Sequence, residues 1–255
     1  MNRAIPILMY HQIDAMPPAG TPFRHLTVTP GAFAAQMRWM RRLGYRGLSM
    51  RDLQPYLSGE RLGRVFGITF DDGYLNVLRH ALPVLREAGF TATNYVVASR
   101  VGGTNDWDAA HGIRQVPLMS ADELRQWIEA GQEIGSHTTD HVDLTRQEPE
   151  QARAQIAGSR QRLQALTGQA VDAFCFPYGR YDERHVDLAR EAGYRNATTI
   201  RRGRARPGGD AWQLPRITVD GTAGVAAFLA QMLTPYEDWR AGWQRFKQAR
   251  TRAHG

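Results

Sequence analysis

Three short stretches of this 255-residue chain carry groups able to do hydrolytic chemistry. The first, Thr69-Phe70-Asp71-Asp72-Gly73, puts two adjacent carboxylates at the end of an apolar run. Neighbouring side chains on an extended segment point in different directions, so one Asp can ligate a cation while the other faces a substrate. Read alone, the pair is equally a solvated turn with an aspartate as helix cap. The second stretch, His137-Thr138-Thr139-Asp140-His141, spaces two imidazoles four residues apart. That spacing lets both reach one cation, though it is also common by coincidence. The third, Phe176-Pro177-Tyr178-Gly179, is by itself only a turn. Together, one carboxylate and two imidazoles make a three-ligand site with room for water. Such a site suits Zn2+, or Co2+, Ni2+, Fe2+ or Mn2+, and leaves the second Asp free to act as a base. His11, closing the apolar run Ile7-Leu8-Met9-Tyr10, could cap a strand, bind a metal or move a proton.

These groups need strands to carry them, and β-rich runs alternate with amphipathic stretches along nearly the whole chain. Strands are predicted over 5–10, 65–70, 93–98, 133–136, 173–176, 194–199 and 214–219. Helices are predicted from Thr29-Pro30 through Met40, and over 74–88, 150–166 and 182–192, with another opened by the Ser120 to Glu123 capping box. Such alternation predicts parallel βαβ units, and about seven or eight of them favour a closed or partly open barrel over a flat sheet. The three stretches then fall at carboxyl ends of strands, where α/β barrels assemble their sites. Loops are expected over 16–28, 99–118 and 201–213.

Composition narrows the class. Hydrophobic residues make up 42% and charged residues 22%, as in ordinary folded domains. The lone Cys175 rules out an internal disulfide, and no window reaches the ~18 apolar residues of a membrane span. No signal peptide is read in MNRAIPILMYH, so a cytoplasmic location is expected. The formal charge of +7 favours anionic partners without choosing among them. Nucleic acid is a weak candidate, because the arginines are scattered and no recognition motif is present.

At Thr69 to Gly73, His137 to His141 and Phe176 to Gly179, the chain resembles the polysaccharide deacetylases, the NodB-homology or carbohydrate esterase family 4 proteins. The resemblance runs from Ile5 to Val219 in the family's motif order. It implies a distorted (β/α) barrel of about seven strands over residues 1–220 and metal-dependent removal of N- or O-acetyl groups from sugars. By motif position it implies Asp71 as base, Asp72, His137 and His141 as metal ligands, and the Tyr178 N–H as oxyanion donor. Two departures stand out. Cys175 occupies the place of the family's base-orienting arginine, and no late L-x-x-H motif supplies the acid histidine. The poly-N-acetylglucosamine deacetylase-like branch, with its permuted motif order, carries that histidine on an N-terminal strand ending in Tyr-His, as Tyr10-His11 does here. His11 is therefore the expected acid, kept protonated by nearby carboxylates, with a structural strand-end role as the alternative. Arg216 is the expected substitute at Asp71, and Thr138 is expected to buttress the metal site.

Outside the motifs, Trp107 and Asn105 could bind a sugar, by stacking and by hydrogen bonds, and Pro177 and Arg216 are counted with them as substrate-facing. His25, His80, His111 and His185 are expected at the surface or in loops. Residues 221–255 read as a helical extension in which Trp239, Trp243 and Phe246 share one face. That face would either dock on the barrel or lie on an anionic membrane, where a lipid- or nucleotide-linked glycan could be met. Two rival functions remain: a cytosolic hydrolase of C–N bonds in small cyclic amides, and an inactive glycan-binding module.

Overall fold

In a computed structural model, which describes residues 4–243, strand β1 (Ile7–Tyr10) turns Leu8 and Tyr10 outward against the helices. Ile7 points the other way, into the barrel. The same two-residue alternation repeats around the sheet, as pleating requires. After the short pair β2 (Gln12–Ile13) and β3 (Thr27–Val28) come α1 (Pro30–Arg42), β4 (Arg46–Leu48), α2 (Met50–Leu57) and β5 (Val65–Phe70). A π-helical turn over Val77–Ala81 leads into α3 (Leu82–Ala88), followed by β6 (Thr93–Val96), α4 (Ala121–Glu129), β7 (Glu133–Ser136) and α5 (Pro149–Thr167). β8 (Ala173–Cys175), α6 (Glu183–Glu191), β9 (Asn196–Arg202), β10 (Leu214–Thr218) and α7 (Val225–Leu233) follow.

The parallel order β1-β10-β9-β8-β7-β6-β5 closes on itself, because β1 also pairs with β5 through Ile7–Tyr10 opposite Gly67–Phe70. Seven strands thus form a ring, and β4 sits outside it against the first half of β5. One apolar layer lies between barrel and helices, with Phe66, Phe70, Trp127 and Phe174 among its residues. A second fills the lower barrel, where Met50, Leu53, Tyr56 and Leu57 of α2 plug the end opposite the motifs. The interior is tight: a Cβ on Gly135 would come within 2.5 Å of the Tyr95 ring.

Local sequence explains the helix starts. Thr29 Oγ1 accepts from the Ala32 N–H at 3.2 Å, and Ser120 and Glu123 form a reciprocal capping box. In α6 the box is Asp182 with His185, so His185 is not at the surface as expected. It is buried, with Nδ1 accepting from the Asp182 N–H and Nε2 beside the Leu144 carbonyl at 3.0 Å.

Residues 236–243 form a further helical segment. It docks through its acids: fully buried Glu237 pairs with Arg202 at 3.0 Å, and Asp238 with Arg204 Nε at 2.8 Å. Trp239 and Trp243 are left 69% and 60% exposed, so the aromatic face is not the docking face. Phe246 lies outside the described residues. Among those described, no helix is long and apolar enough to cross a membrane.

Candidate active site

Asp71 is the first residue past β5, and its N–H donates to the Tyr10 carbonyl at 2.9 Å. This bond continues the β1–β5 register by one step and brings His11 beside the Asp71–Asp72 pair. The Asp71 side chain points into the barrel and meets Arg216 from β10, which is wholly buried. Arg216 Nη1 donates to Asp71 Oδ1 at 2.6 Å and Nη2 to Oδ2 at 2.7 Å, a bidentate pair. The guanidinium is fixed further by the Thr199 carbonyl (2.9 Å), Thr69 Oγ1 (3.0 Å) and Cys175 Sγ (3.1 Å). A small residue at 175 leaves the space Arg216 fills. Burial alone would raise the Asp71 carboxyl, but the charge and hydrogen bonds of Arg216 hold it below the usual carboxylate range. Arg216 therefore touches Asp71 and not the cleft, which differs from the substrate-facing place expected for it.

Asp72 turns the other way because its backbone is left-handed, with φ 79°. Its Oδ1 lies 3.4 Å from His141 Nε2 and 3.6 Å from His137 Nε2. His137 follows β7, and its Nδ1 is 2.8 Å from the Cys175 carbonyl, an arrangement that fixes the tautomer and frees Nε2. Thr138 Oγ1 accepts from the His141 N–H at 3.0 Å, tying the two ends of that motif together. Burial opposes charge on His137, but Cys175, Asp71 and Asp72 push its pKa up to about 9. Asp72 moves the other way: burial would raise it, yet the three neighbouring imidazoles hold it far below the ordinary value.

This donor set fits a divalent cation. One ligand atom from each of Asp72, His137 and His141 lies within 4.8 Å of the others, and all three residues are buried. Asp72 Oδ1 is a buried acceptor without a hydrogen-bond partner, an expensive arrangement unless something positive sits there. Asp71, His137 and Cys175 form a second such grouping, but both Asp71 oxygens are already committed to Arg216. His11 lies beside this cluster without belonging to it and is half-buried, with Nδ1 unpartnered. Burial lowers its pKa and outweighs the pull of Asp71 and Asp72. The expectation that carboxylates keep it protonated is thereby corrected: desolvation is the larger effect.

The oxyanion candidate Tyr178 sits in the turn after β8 with φ 56°. Its ring lies edge-on to His141, 4.6 Å between centroids, and its hydroxyl donates to Asp108 at 3.1 Å. Gly179 must follow, since a Cβ there would come within 2.2 Å of Ile200. Asp72, Thr138, His141 and Tyr178 are four of the five non-glycine residues with positive φ among those described. Each costs roughly 1–3 kcal/mol, so the rest of the fold must hold the site in shape.

A cleft of about 1110 Å³ opens over these groups, lined by His11, Asp71, Asp72, His137, His141 and Tyr178. The other residues expected at the substrate are elsewhere. Asn105 is buried and spends its amide on backbone, accepting from the Val116 N–H (2.6 Å) and donating to the Arg114 carbonyl (3.2 Å). Trp107 stacks on His141, 4.7 Å between centroids, so one ring face supports that imidazole. Pro177 is buried in the turn. Tyr74 was not singled out by sequence, yet it is buried in the cleft wall, and burial followed by the nearby Asp72 charge raises its phenol. Its place one turn after the Asp pair was the available signal.

Arg216→Ala is expected to lower turnover about 10²-fold or more while bound metal per chain, read by elemental analysis, stays unchanged. Equal turnover would refute the positioning role.

The sequence model described as polysaccharide deacetylase matches residues 58–197. YxkH of Bacillus subtilis, whose name places it provisionally among such enzymes, is 27% identical over 226 residues, covering 88% of this chain and 74% of that one. The poly-β-1,6-N-acetyl-D-glucosamine N-deacetylase of Staphylococcus epidermidis is 23% identical over 210 residues, or 78% and 70% of the two chains. Among solved structures, the Streptococcus pyogenes deacetylase PplD in complex with acetate superposes with TM-score 0.79 at 26% identity, covering 92% of this chain and all of that one.

Proposed function

The chain belongs to the polysaccharide deacetylase family and is a hydrolase of that class, and from this premise we propose that it removes acetyl groups from an amino sugar within a glycan at a cation held by Asp72, His137 and His141. The observation that carries this reading is the pairing of a three-ligand cluster with a separate, arginine-held carboxylate in one cleft. The name of the Staphylococcus epidermidis relative supports N-acetylglucosamine as the sugar type.

A divalent cation in that cluster would polarise the acetyl carbonyl and acidify water. Asp71, ionised at rest and aimed by Arg216, takes a proton from the attacking water. The Tyr178 backbone N–H stabilises the oxyanion of the tetrahedral intermediate. As the C–N bond breaks, the sugar nitrogen needs a proton, since an amide anion is a very poor leaving group. The proton taken from water by Asp71 balances that demand, and His11, which lines the same cleft, would carry it to nitrogen. Acetate and the free amine are the products.

The cleft is larger than a small cyclic amide requires, which favours a sugar chain over the rival amide substrate. A glycan-binding module without activity would have no use for the buried Asp71–Arg216 pair. The test is acetate release from N-acetylglucosamine oligomers, O-acetylated sugars and small amides. Loss of release on chelation, and recovery with Zn2+ or Co2+, is the expected result. Cleavage of amides alone, or sugar deacetylation indifferent to chelation, would overturn the reading.

A further inference from the structure

Water-exposed helices normally bury their apolar stripe and turn charge outward. Residues 236–243 do the reverse. Glu237 is fully buried against Arg202 and also accepts from Gln231 at 2.8 Å, while Asp238 is held by Arg204 through its side chain and its backbone N–H. With the acids turned in, Tyr236, Trp239, Arg240 and Trp243 occupy the outward stripe, spaced at i, i+3, i+4 and i+7. Tyr236 is 41% exposed, Trp239 69% and Trp243 60%, and Leu233 in the last turn of α7 adds a further 36%-exposed apolar side chain. Arg240 lies over the Tyr236 ring at 5.5 Å, so a cation is built into the aromatic stripe.

Charge then decides what such a face would meet. From Trp239 to Gly255 the sequence holds Arg240, Arg245, Lys247, Arg250 and Arg252 and has no Asp or Glu. A second copy of this chain would bring the same positive charges together, whereas an anionic lipid surface would neutralise them and take the tryptophans at headgroup depth. We propose that the outward face of helix 236–243 docks the protein on an anionic lipid bilayer. The anchoring ion pair also sets the orientation. Arg202, which holds Glu237, lines the substrate cleft, so the docked helix lies beside the cleft mouth. The surface so engaged is the one from which a membrane-proximal glycan would be drawn.

Co-sedimentation of the full-length chain with phosphatidylcholine vesicles, with and without phosphatidylglycerol, tests this. The protein is expected to pellet with the anionic vesicles and to be released by high salt. Trp239→Ser and Arg240→Glu are each expected to lower partitioning several-fold, and the pair about tenfold or more, with hydrolysis of a soluble substrate unchanged. No pelleting with anionic vesicles would overturn the proposal, as would pelleting unaffected by either substitution. A dimer in solution that Trp239→Ser dissociates, without vesicle binding, would assign the face to self-association instead.

Discussion

Asp72→Ala protein is expected to purify folded, to carry no stoichiometric divalent cation and to release acetate at least about 10³-fold more slowly than the parent. Asp72 would supply the cluster's anionic ligand, and His137 and His141 both converge on its Oδ1. Two neutral imidazoles alone would leave the cation short of both charge and ligands. Asp72→Asn preserves shape while deleting charge, so it separates the two contributions. In the metal-free parent, His137 stays protonated up to about pH 9, and a cation must displace that proton. Affinity should therefore rise with pH and level off near that value, with proton release visible by calorimetry in buffers of different ionisation enthalpy. Full activity in metal-free Asp72→Ala protein would remove the cation from the reaction.

Asp71→Asn should leave the cation in place and still cut turnover by about 10²–10⁴, the usual worth of a positioned base. The variant also strands the Arg216 guanidinium inside the barrel without a counter-charge. Breaking one partner of a buried pair typically costs about 3–5 kcal/mol, so a lower denaturation midpoint should accompany the lost activity. Joining Arg216→Ala to Asp71→Asn should restore part of that stability but none of the rate. The pH sign follows from the depressed carboxyl. The pair's contribution is present above the ordinary aspartate pKa and is lost as pH falls through the lower folded value. Metal loss in Asp71→Asn, or an unchanged rate, would reverse the division of labour between the two aspartates.

Much of the barrel was legible because its strands are apolar runs with turn residues at their carboxyl ends. The strand predicted over 65–70 and the one over 133–136 match β5 and β7 at both ends. β4, outside the ring, was not legible, being three residues, Arg46-Gly47-Leu48, too short for any period to show. The helix α2 was hidden by Pro55 within it, a residue that usually argues against a helix interior. In the site, Arg216 was readable from a vacancy in the motif at Cys175 and from its place near a late strand. Asn105 and Trp107 were misplaced for a different reason. An amide or indole in a loop serves sugar and protein equally well, and the choice depends on backbone that comes near only in three dimensions. For Asn105 that backbone is Arg114 and Val116, and for Trp107 the partner ring is His141.

The double pairing of the opening strand, with β10 on one side and β5 on the other, bears on how the molecule is made. On the ribosome, the segment carrying His11 emerges before β5 and β10 and lacks one edge partner until some two hundred further residues, up to Thr218, have been translated. Closure is among the longest-range events available to this chain, so it should come late and slowly. A nascent or truncated product can display the aspartates and histidines of the central strands. It cannot yet bring Arg216 to the carboxylate it orients, so competence switches on only at the completed circle.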